Sequence, residues 1–274
     1  MSPRVVVAAL NVPGPVAAAK LRDAGATVTK IEPVAGDPLE RYAPPWYREL
    51  TAGMNILRLN ARLDADRARF HAEIERADLL ITSMRPRALR HIGLDDETFS
   101  DRFPRLWWIR IVGKTGADAD LPGHDLTYLA EAGLLVPPHV PPSLFSDLMA
   151  SERTVSVAFE ALLAQKSGAA SGIVDVAIAD LAHELARPLR EGLTAPNGIL
   201  GGGNAAYQIY RSSDGWIAVA ALEEHFREEL RIQLALPALT SDAVQRAFER
   251  QSSRYWEAWG KERDLPIVAV PARA

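Results

Sequence analysis

The sequence of 274 residues contains no cysteine, which excludes disulfide bonds, thiolate metal sites and a cysteine nucleophile. It also lacks a strong charge of either sign, because the formal net charge is −4 and 24% of the residues are charged. No apolar run approaches the roughly 20 residues that span a bilayer. We therefore expect a soluble, cytoplasmic protein without a nucleic-acid or membrane partner, and no spacing of side chains indicates a metal site.

The hydrophobic content of 48% suffices for one large domain, or for one large and one small domain. Residues 4–10 are a β-branched run that is typical of a first strand rather than a signal peptide. Residues 16–24 predict a helix between Pro15 and Gly25, and residues 28–31 predict a second strand. Strand, helix and strand at this spacing predict a βαβ unit with a parallel sheet.

An imidazole and two carboxylates stand out near the middle of the chain. His124 and Asp125 lie where an apolar, helix-like run begins, and Asp147 opens a long amphipathic helix after the proline-rich residues 136–142. Histidine can take and give a proton near neutral pH, and a carboxylate at a helix start lies at the positive end of the helix dipole. The pair is therefore a candidate for moving protons. The alternative is structural, with Asp147 as an N-cap and His124 as a turn residue.

Residues 123–135, GHDLTYLAEAGLL, resemble the GHD-x-x-Y-x-A-x-x-G-x-L segment of the alpha-methylacyl-CoA racemases, members of the family III CoA-transferase superfamily. Other segments resemble the family in the same order along the chain: residues 14–38, 83–94, 103–116, 172–180 and 206–223. The match is poor at residues 53–62, where Met54 and Asn55 replace two cations. The glycine-rich helix start of the family is also replaced, by the bulkier residues 148–153.

The resemblance implies an α/β fold, with a large Rossmann-like parallel-sheet domain and a smaller α/β domain. We expect the large, CoA-binding domain at residues 1–190, a linker at 191–204 and the small domain at 205–274. The sequence ends where family members continue, so the family III CoA-transferase fold is expected to be short at its C-terminus. The resemblance also implies a homodimer in which two chains interlock.

Three catalytic residues are implied by the resemblance. His124 removes a proton from the carbon next to a thioester carbonyl, Asp147 returns one to the opposite face, and Glu223 orients the histidine. We expect N–H groups at the start of the Asp147 helix to bind the enolate oxygen. No cofactor is expected to be bound permanently, since coenzyme A is part of the substrate. The residues implied to contact it are Arg58, Leu59, Asn60, Ala61, Arg85, Gly123, Asp125 and Tyr128. His91 is interpreted as a surface helix residue.

The resemblance thus implies racemase or epimerase chemistry on a 2-methylacyl-CoA. Two alternatives remain open. A family III CoA-transferase would move CoA between carboxylic acids, with Asp147 as a nucleophile that forms an acyl-enzyme. A non-catalytic member would keep the fold and the CoA groove without turnover, as the altered cation pattern and the altered helix start would allow.

Overall fold

The computed structural model describes residues 2–272. Contacts within the chain define two compact units, Met1–Leu185 and Ala186–Ala274. The domain limits expected from the sequence, with a linker at residues 191–204, stay a prediction. Over residues 2–272, no helix is both long enough and apolar enough to cross a bilayer.

A parallel sheet forms the centre of the first unit. Its strands are β1 (Arg4–Ala8), β2 (Thr27–Pro33), β3 (Asn55–Leu59), β4 (Leu79–Thr82), β5 (Trp107–Val112) and β6 (Gly172–Ala177). They are ordered β3-β2-β1-β4-β5-β6, and every neighbouring pair is parallel. Val6 of β1 pairs with Thr29 on one side and Leu80 on the other. The predicted α/β class with a parallel sheet is confirmed.

Nine helices are described in the first unit: α1 (Pro13–Asp23), α2 (Pro38–Tyr42), α3 (Pro44–Thr51), α4 (Asp64–Ile74), α5 (Pro86–His91), α6 (Asp96–Arg102), α7 (Asp125–Glu131), α8 (Phe145–Lys166) and α9 (Ile178–Leu185). Four of them carry proline in the first turn, where the missing N–H costs no hydrogen bond. Alternate strand residues face opposite layers, so that Val5 and Val7 belong to one core cluster while Val6 and Ala8 belong to the other.

Helix α8 packs through small residues. Ala150, Ala158 and Ala161 are fully buried, and they allow the helix to approach the sheet closely. Phe159 and Leu163 are 50% and 66% exposed, so helical spacing alone does not identify the buried face of this helix.

A buried charge network stabilises the end of β2. The Nζ of Lys30 lies 2.6 Å from the Oε1 of Glu32 and 2.8 Å from the Oδ2 of Asp37, and all three side chains are inaccessible to solvent. Tyr47 donates to Glu32 at 2.7 Å. Burial alone would raise the pKa of Glu32, but the hydrogen bonds from Lys30 and Tyr47 lower it below its ordinary value. The lysine therefore supplies one buried positive charge to two buried carboxylates.

The second unit is a smaller α/β unit. Its elements are α10 (Arg187–Arg190), β7 (Tyr207–Arg211), β8 (Trp216–Ala220), α11 (Glu224–Gln233), α12 (Ser241–Phe248), α13 (Ser253–Glu262) and β9 (Ile267–Val270). The strands form an antiparallel sheet in the order β7-β8-β9. Its core contains Tyr210, Phe248 and Trp256, whose rings contact one another in sequence at 5.5 and 5.0 Å between centroids.

Candidate active site

The strand order reverses between the neighbouring strands β1 and β4. The strands that follow β1 are added on one side of it, and the strands that follow β4 are added on the other side. Open α/β sheets bind ligands at such a switch point, outside the carboxyl ends of the strands. Leu10 and Asn11 follow β1, and Ser83 and Met84 follow β4. The Leu10 N–H donates to the Ser83 hydroxyl at 3.2 Å. These four residues line two cavities at this edge of the sheet.

Three cavities that share residues lie along this edge, and the largest of these three, about 650 Å³, lies over the ends of β1, β2 and β3. Its walls are mainly apolar, with Ile31, Leu59 and Phe70 among them. Its charged residues are Arg62, Arg67, Glu32 and Asp66. A second cavity of about 610 Å³ shares Ala61, Met84 and Ile92 with the first, and it is lined by Arg85, Arg87 and His91. We call it the basic cavity.

The third cavity, of about 210 Å³, brings the candidate acid and base together. His124, Asp147 and Tyr128 line it, with Gly123 and Arg85. It shares Met84 with both other cavities and Arg85 with the basic cavity. The three cavities are therefore neighbours along the carboxyl edge of the sheet, and Asp147 lines only the third; together we call them the groove. We call the third the acid–base cavity.

Asp125 fixes the start of α8. Its Oδ1 accepts from the Ser146 N–H at 2.8 Å, the Ser146 hydroxyl at 2.6 Å and the Asp147 N–H at 3.1 Å. The Leu148 N–H in turn donates to the Leu144 carbonyl. The prediction that N–H groups at this helix start would bind an enolate oxygen is therefore wrong for Ser146, Asp147 and Leu148, because those groups already have acceptors.

The pKa of Asp147 is raised to about 6, mainly by burial and to a smaller extent by repulsion from the charge of Asp125. No hydrogen bond to its carboxyl group is present within residues 2–272. The helix dipole would favour the ionised form. However, the carboxylate of Asp125 already accepts hydrogen bonds from the first N–H groups of α8. The helix dipole therefore stabilises the charge of Asp125, and it stabilises the charge of Asp147 little. A carboxyl group with this pKa exchanges protons close to neutral pH.

The phenol of Tyr128 is held between two glycines. A Cβ at Gly113 would lie 2.1 Å from the Tyr128 hydroxyl, and a Cβ at Gly123 would lie 2.3 Å from it. Tyr128 is buried, and burial raises the pKa of its hydroxyl. This hydroxyl has no hydrogen-bond partner within the described part of the chain, and it borders the acid–base cavity. It is therefore a fixed donor available to a ligand.

His124 and Glu223 both stand at helix starts. His124 is exposed and precedes α7, with its N–H donating to the Thr127 hydroxyl at 3.0 Å. Glu223 is exposed and precedes α11 in the second unit. Its implied role toward His124 stays a prediction.

The residues expected to contact CoA fall in different surroundings. Leu59, Asn60 and Ala61 line the largest cavity, and Arg85, Gly123 and Tyr128 line the acid–base cavity. Arg58 is not among the residues that line these cavities. Its guanidinium pairs with Glu40 at 2.7 Å and contacts Glu32 at 3.4 Å. Asp125, as the cap of α8, is likewise not among the residues that line the three cavities.

Two residues of the basic cavity were not expected from the sequence. Arg87 and His91 line it, and His91, interpreted as a surface helix residue, is exposed. The available signal was position, since both lie on the helix that follows the carboxyl end of β4.

The fold is an α/β fold with cavities at the switch point of a parallel sheet, and one of these cavities is lined by a histidine and by a carboxyl group of raised pKa. The sequence matches CoA-transferase family III over residues 3–264, and the chain belongs to that family.

Curated relatives include both kinds of chemistry. Cinnamoyl-CoA:phenyllactate CoA-transferase of Clostridium sporogenes is 34% identical over 163 residues, covering 52% of this chain and 40% of that protein. Alpha-methylacyl-CoA racemase of Homo sapiens is 29% identical over 236 residues, covering 80% of this chain and 60% of that protein. The chain thus spans about half the length of these relatives. Family membership establishes a CoA-using class, and the relatives leave the particular reaction open.

A solved structure shows the same fold. The hypothetical protein Rv3272 from Mycobacterium tuberculosis superposes with a TM-score of 0.85 at 21% identity, covering 98% of this chain and 82% of that one. The expected family III CoA-transferase fold is confirmed.

Proposed function

We propose that this chain exchanges the α-proton of a 2-methylacyl-CoA thioester, as an acyl-CoA racemase or epimerase does. The observation that carries the proposal is Asp147, whose pKa is raised to about 6 and which lines the same cavity as His124. Epimerisation needs two groups that exchange protons with one carbon. An imidazole and a carboxyl group on one small cavity are suited to this task.

The groove supports an acyl-CoA as the ligand. Arg85, Arg87 and His91 of the basic cavity can bind phosphate groups, and Arg62 lies in the adjoining cavity. The mainly apolar largest cavity suits a base and sugar. In this arrangement the thioester reaches the acid–base cavity, whose apolar residues Leu10, Ile111 and Ile178 suit an alkyl chain.

In the proposed reaction, His124 takes the α-proton and the electron pair moves onto the thioester oxygen. The N–H groups at the start of α8 are bonded to Asp125, so we assign the enolate hydrogen bond to the Tyr128 hydroxyl. Asp147 then returns a proton to the opposite face of the carbon. Its pKa of about 6 leaves it partly protonated near neutral pH, so it can act as acid in one direction and as base in the other.

A second candidate is CoA transfer between carboxylic acids, with Asp147 as the nucleophile. Arg85 is the observation in its favour. This side chain is exposed, has no ion pair within residues 2–272, and lines both the acid–base cavity and the basic cavity. A guanidinium beside the nucleophile could bind the free carboxylate of an acceptor.

Deuterium uptake separates the two reactions. The chain is incubated in D₂O with a 2-methylacyl-CoA and no free acid, and the thioester is followed by mass spectrometry. The racemase proposal expects uptake of one deuterium at the α-carbon, and Asp147→Asn should slow uptake by the enantiomer whose proton faces Asp147 by about 10² to 10⁴-fold. Asp101→Asn, an exposed carboxylate on α6, is the matched control and should leave uptake unchanged.

Transfer of CoA to an added acid without α-exchange would support the second candidate and overturn the first. If neither reaction occurs while calorimetry shows CoA binding, the chain is a binding protein and both enzyme proposals fail.

We also propose the interlocked homodimer that the resemblance implies. A monodisperse monomer in light scattering would contradict it.

A further inference from the structure

His71, on α4, does not line the groove but contacts Ile92, a residue that does. Its Nε2 lies 2.9 Å from the Ile92 carbonyl oxygen. Because a carbonyl only accepts, Nε2 must carry the proton. The other ring nitrogen, Nδ1, is buried and has no partner among residues 2–272. The hydrogen bonding thus fits a neutral ring with its single N–H on Ile92.

The ring is fixed by its aromatic neighbours. It stacks on Phe103 with 6.4 Å between centroids and an interplanar angle of 8°, and it meets Phe70 edge-on at 5.6 Å. Rotation that would bring Nδ1 to the Ile92 carbonyl would disrupt these contacts.

The Ile92 segment belongs to the wall of the groove. Ile92 lines both the largest cavity and the basic cavity, and it ends α5, the helix that carries Arg87 and His91. Gly93 follows in the left-handed region at φ 78°, and its carbonyl accepts from Arg102 at 3.2 Å. Two side chains, His71 and Arg102, therefore hold the end of α5 in place from outside the helix.

We propose that His71 is a positioning residue for the basic cavity: its neutral ring holds the end of α5, and a proton on the buried Nδ1, which has no acceptor there, favours states in which the ring has left this position, α5 is released and acyl-CoA binds more weakly. This inference rests on the proposed function, in which acyl-CoA occupies the groove. The inference adds that His71, which does not line the groove, makes acyl-CoA binding in the groove depend on pH.

The surroundings of His71 oppose protonation. Burial lowers the pKa of the imidazole, and the positive charges of Arg102 on α6 and of Arg67 on α4 lower it further. The Ile92 hydrogen bond and Glu75 on α4 raise it, without reversing the net shift. A proton on Nδ1 would be a second donor, buried without an acceptor. The neutral ring is therefore the native form. Its contribution is present above the ordinary histidine pKa of 6.5 and is lost as the pH falls toward the lower native value.

The test measures CoA affinity by calorimetry at about pH 7.5 and about pH 5.5, on either side of the ordinary histidine pKa. His71→Gln keeps an N–H donor at this position and cannot ionise in this range. It should bind CoA like the wild type at the higher pH and lose less affinity on acidification. His71→Leu removes the donor and should weaken binding about fivefold to tenfold at the higher pH.

Other ionisable groups of the protein and of CoA can also contribute to the pH dependence, so the deciding quantity is the difference between His71→Gln and the wild type. His139→Gln, in the exposed loop before α8, is the matched control and should keep the wild-type pH dependence. Equal pH dependence of His71→Gln and the wild type would overturn the inference. Unchanged affinity in folded His71→Leu would overturn it too.

A second readout needs no ligand. Amide hydrogen exchange of residues 89–94, corrected for the intrinsic rate, should accelerate on acidification in the wild type and much less in His71→Gln. If CoA does not bind at either pH but this difference is seen, the ligand proposal fails while the role of His71 stands. If exchange does not differ, the positioning role itself is refuted.

Discussion

Replacing the proposed acid by its neutral isostere, Asp147→Asn, should make the protein more stable while it removes racemisation. The ionised carboxylate is unfavourable in the native state, because burial and the nearby Asp125 raise its pKa from 3.8 to about 6. No hydrogen bond to the carboxyl group is lost in the variant, since none is present among the described residues. Asparagine has nearly the same shape and carries no charge.

The shift of about 2 pKa units corresponds to about 3 kcal/mol, at about 1.4 kcal/mol per unit. Asp147 is only half-buried, so solvent screening reduces the expected gain to about 1–2 kcal/mol. The sign follows from proton binding. The native carboxyl group holds its proton more tightly than the unfolded one, so the wild type loses stability as the pH rises from about 4 to about 6. The gain from Asp147→Asn should therefore be full at pH 7 and absent below pH 4.

Urea unfolding at both pH values measures this difference, with Asp101→Asn as a control that should change stability by less than about 0.5 kcal/mol. A destabilised Asp147→Asn at neutral pH would refute the reasoning. So would an equal gain at both pH values, because the effect would then not arise from ionisation.

Two further substitutions test how the site and its support are built. Gly123→Ala should displace the Tyr128 ring, because the new Cβ would lie 2.3 Å from the hydroxyl oxygen; α-proton exchange should fall at least about tenfold, with a loss of about 1–3 kcal/mol in unfolding free energy. Lys30→Met should destabilise the protein by about 3–5 kcal/mol in urea unfolding, because Glu32 and Asp37 would remain buried without their shared cation.

Each of these has a matched control. Gly215→Ala would place its Cβ 3.5 Å from the Ser253 hydroxyl, an ordinary contact, and should be tolerated. Lys20→Met removes an exposed ion pair with Glu152 and should change stability by less than about 1 kcal/mol. Full activity of Gly123→Ala would show that Tyr128 needs no fixed position. Equal effects of Lys30→Met and Lys20→Met would contradict the buried network.

The sequence predicts the parts of this fold that depend on short-range patterns. The apolar run at β1, Pro15 and Gly25 around the first helix, and the strand that follows together indicate a βαβ unit, and the parallel sheet is present. The carboxyl ends of the strands are then expected to carry the ligand, and Ala61 and Arg85 do lie on the groove.

What the sequence does not show are partners that the fold brings together from distant positions. Asp125 and Ser146 are 21 residues apart, and no periodic pattern indicates that one caps the helix of the other. The raised pKa of Asp147 likewise depends on burial first, and then on the nearby charge of Asp125. Arg58 is a similar case, because only the structure shows that its guanidinium is already paired with Glu40 and Glu32.

The opposed action of His124 and Asp147 is tested most directly by α-proton exchange from each pure enantiomer of a 2-methylacyl-CoA in D₂O. With two bases on opposite faces, the wild type should exchange both enantiomers. His124→Ala should retain exchange only from the enantiomer whose proton faces Asp147, and Asp147→Asn only from the other. If each variant loses both exchanges equally, or keeps both, the two residues do not act as opposed bases and the proposed mechanism is wrong.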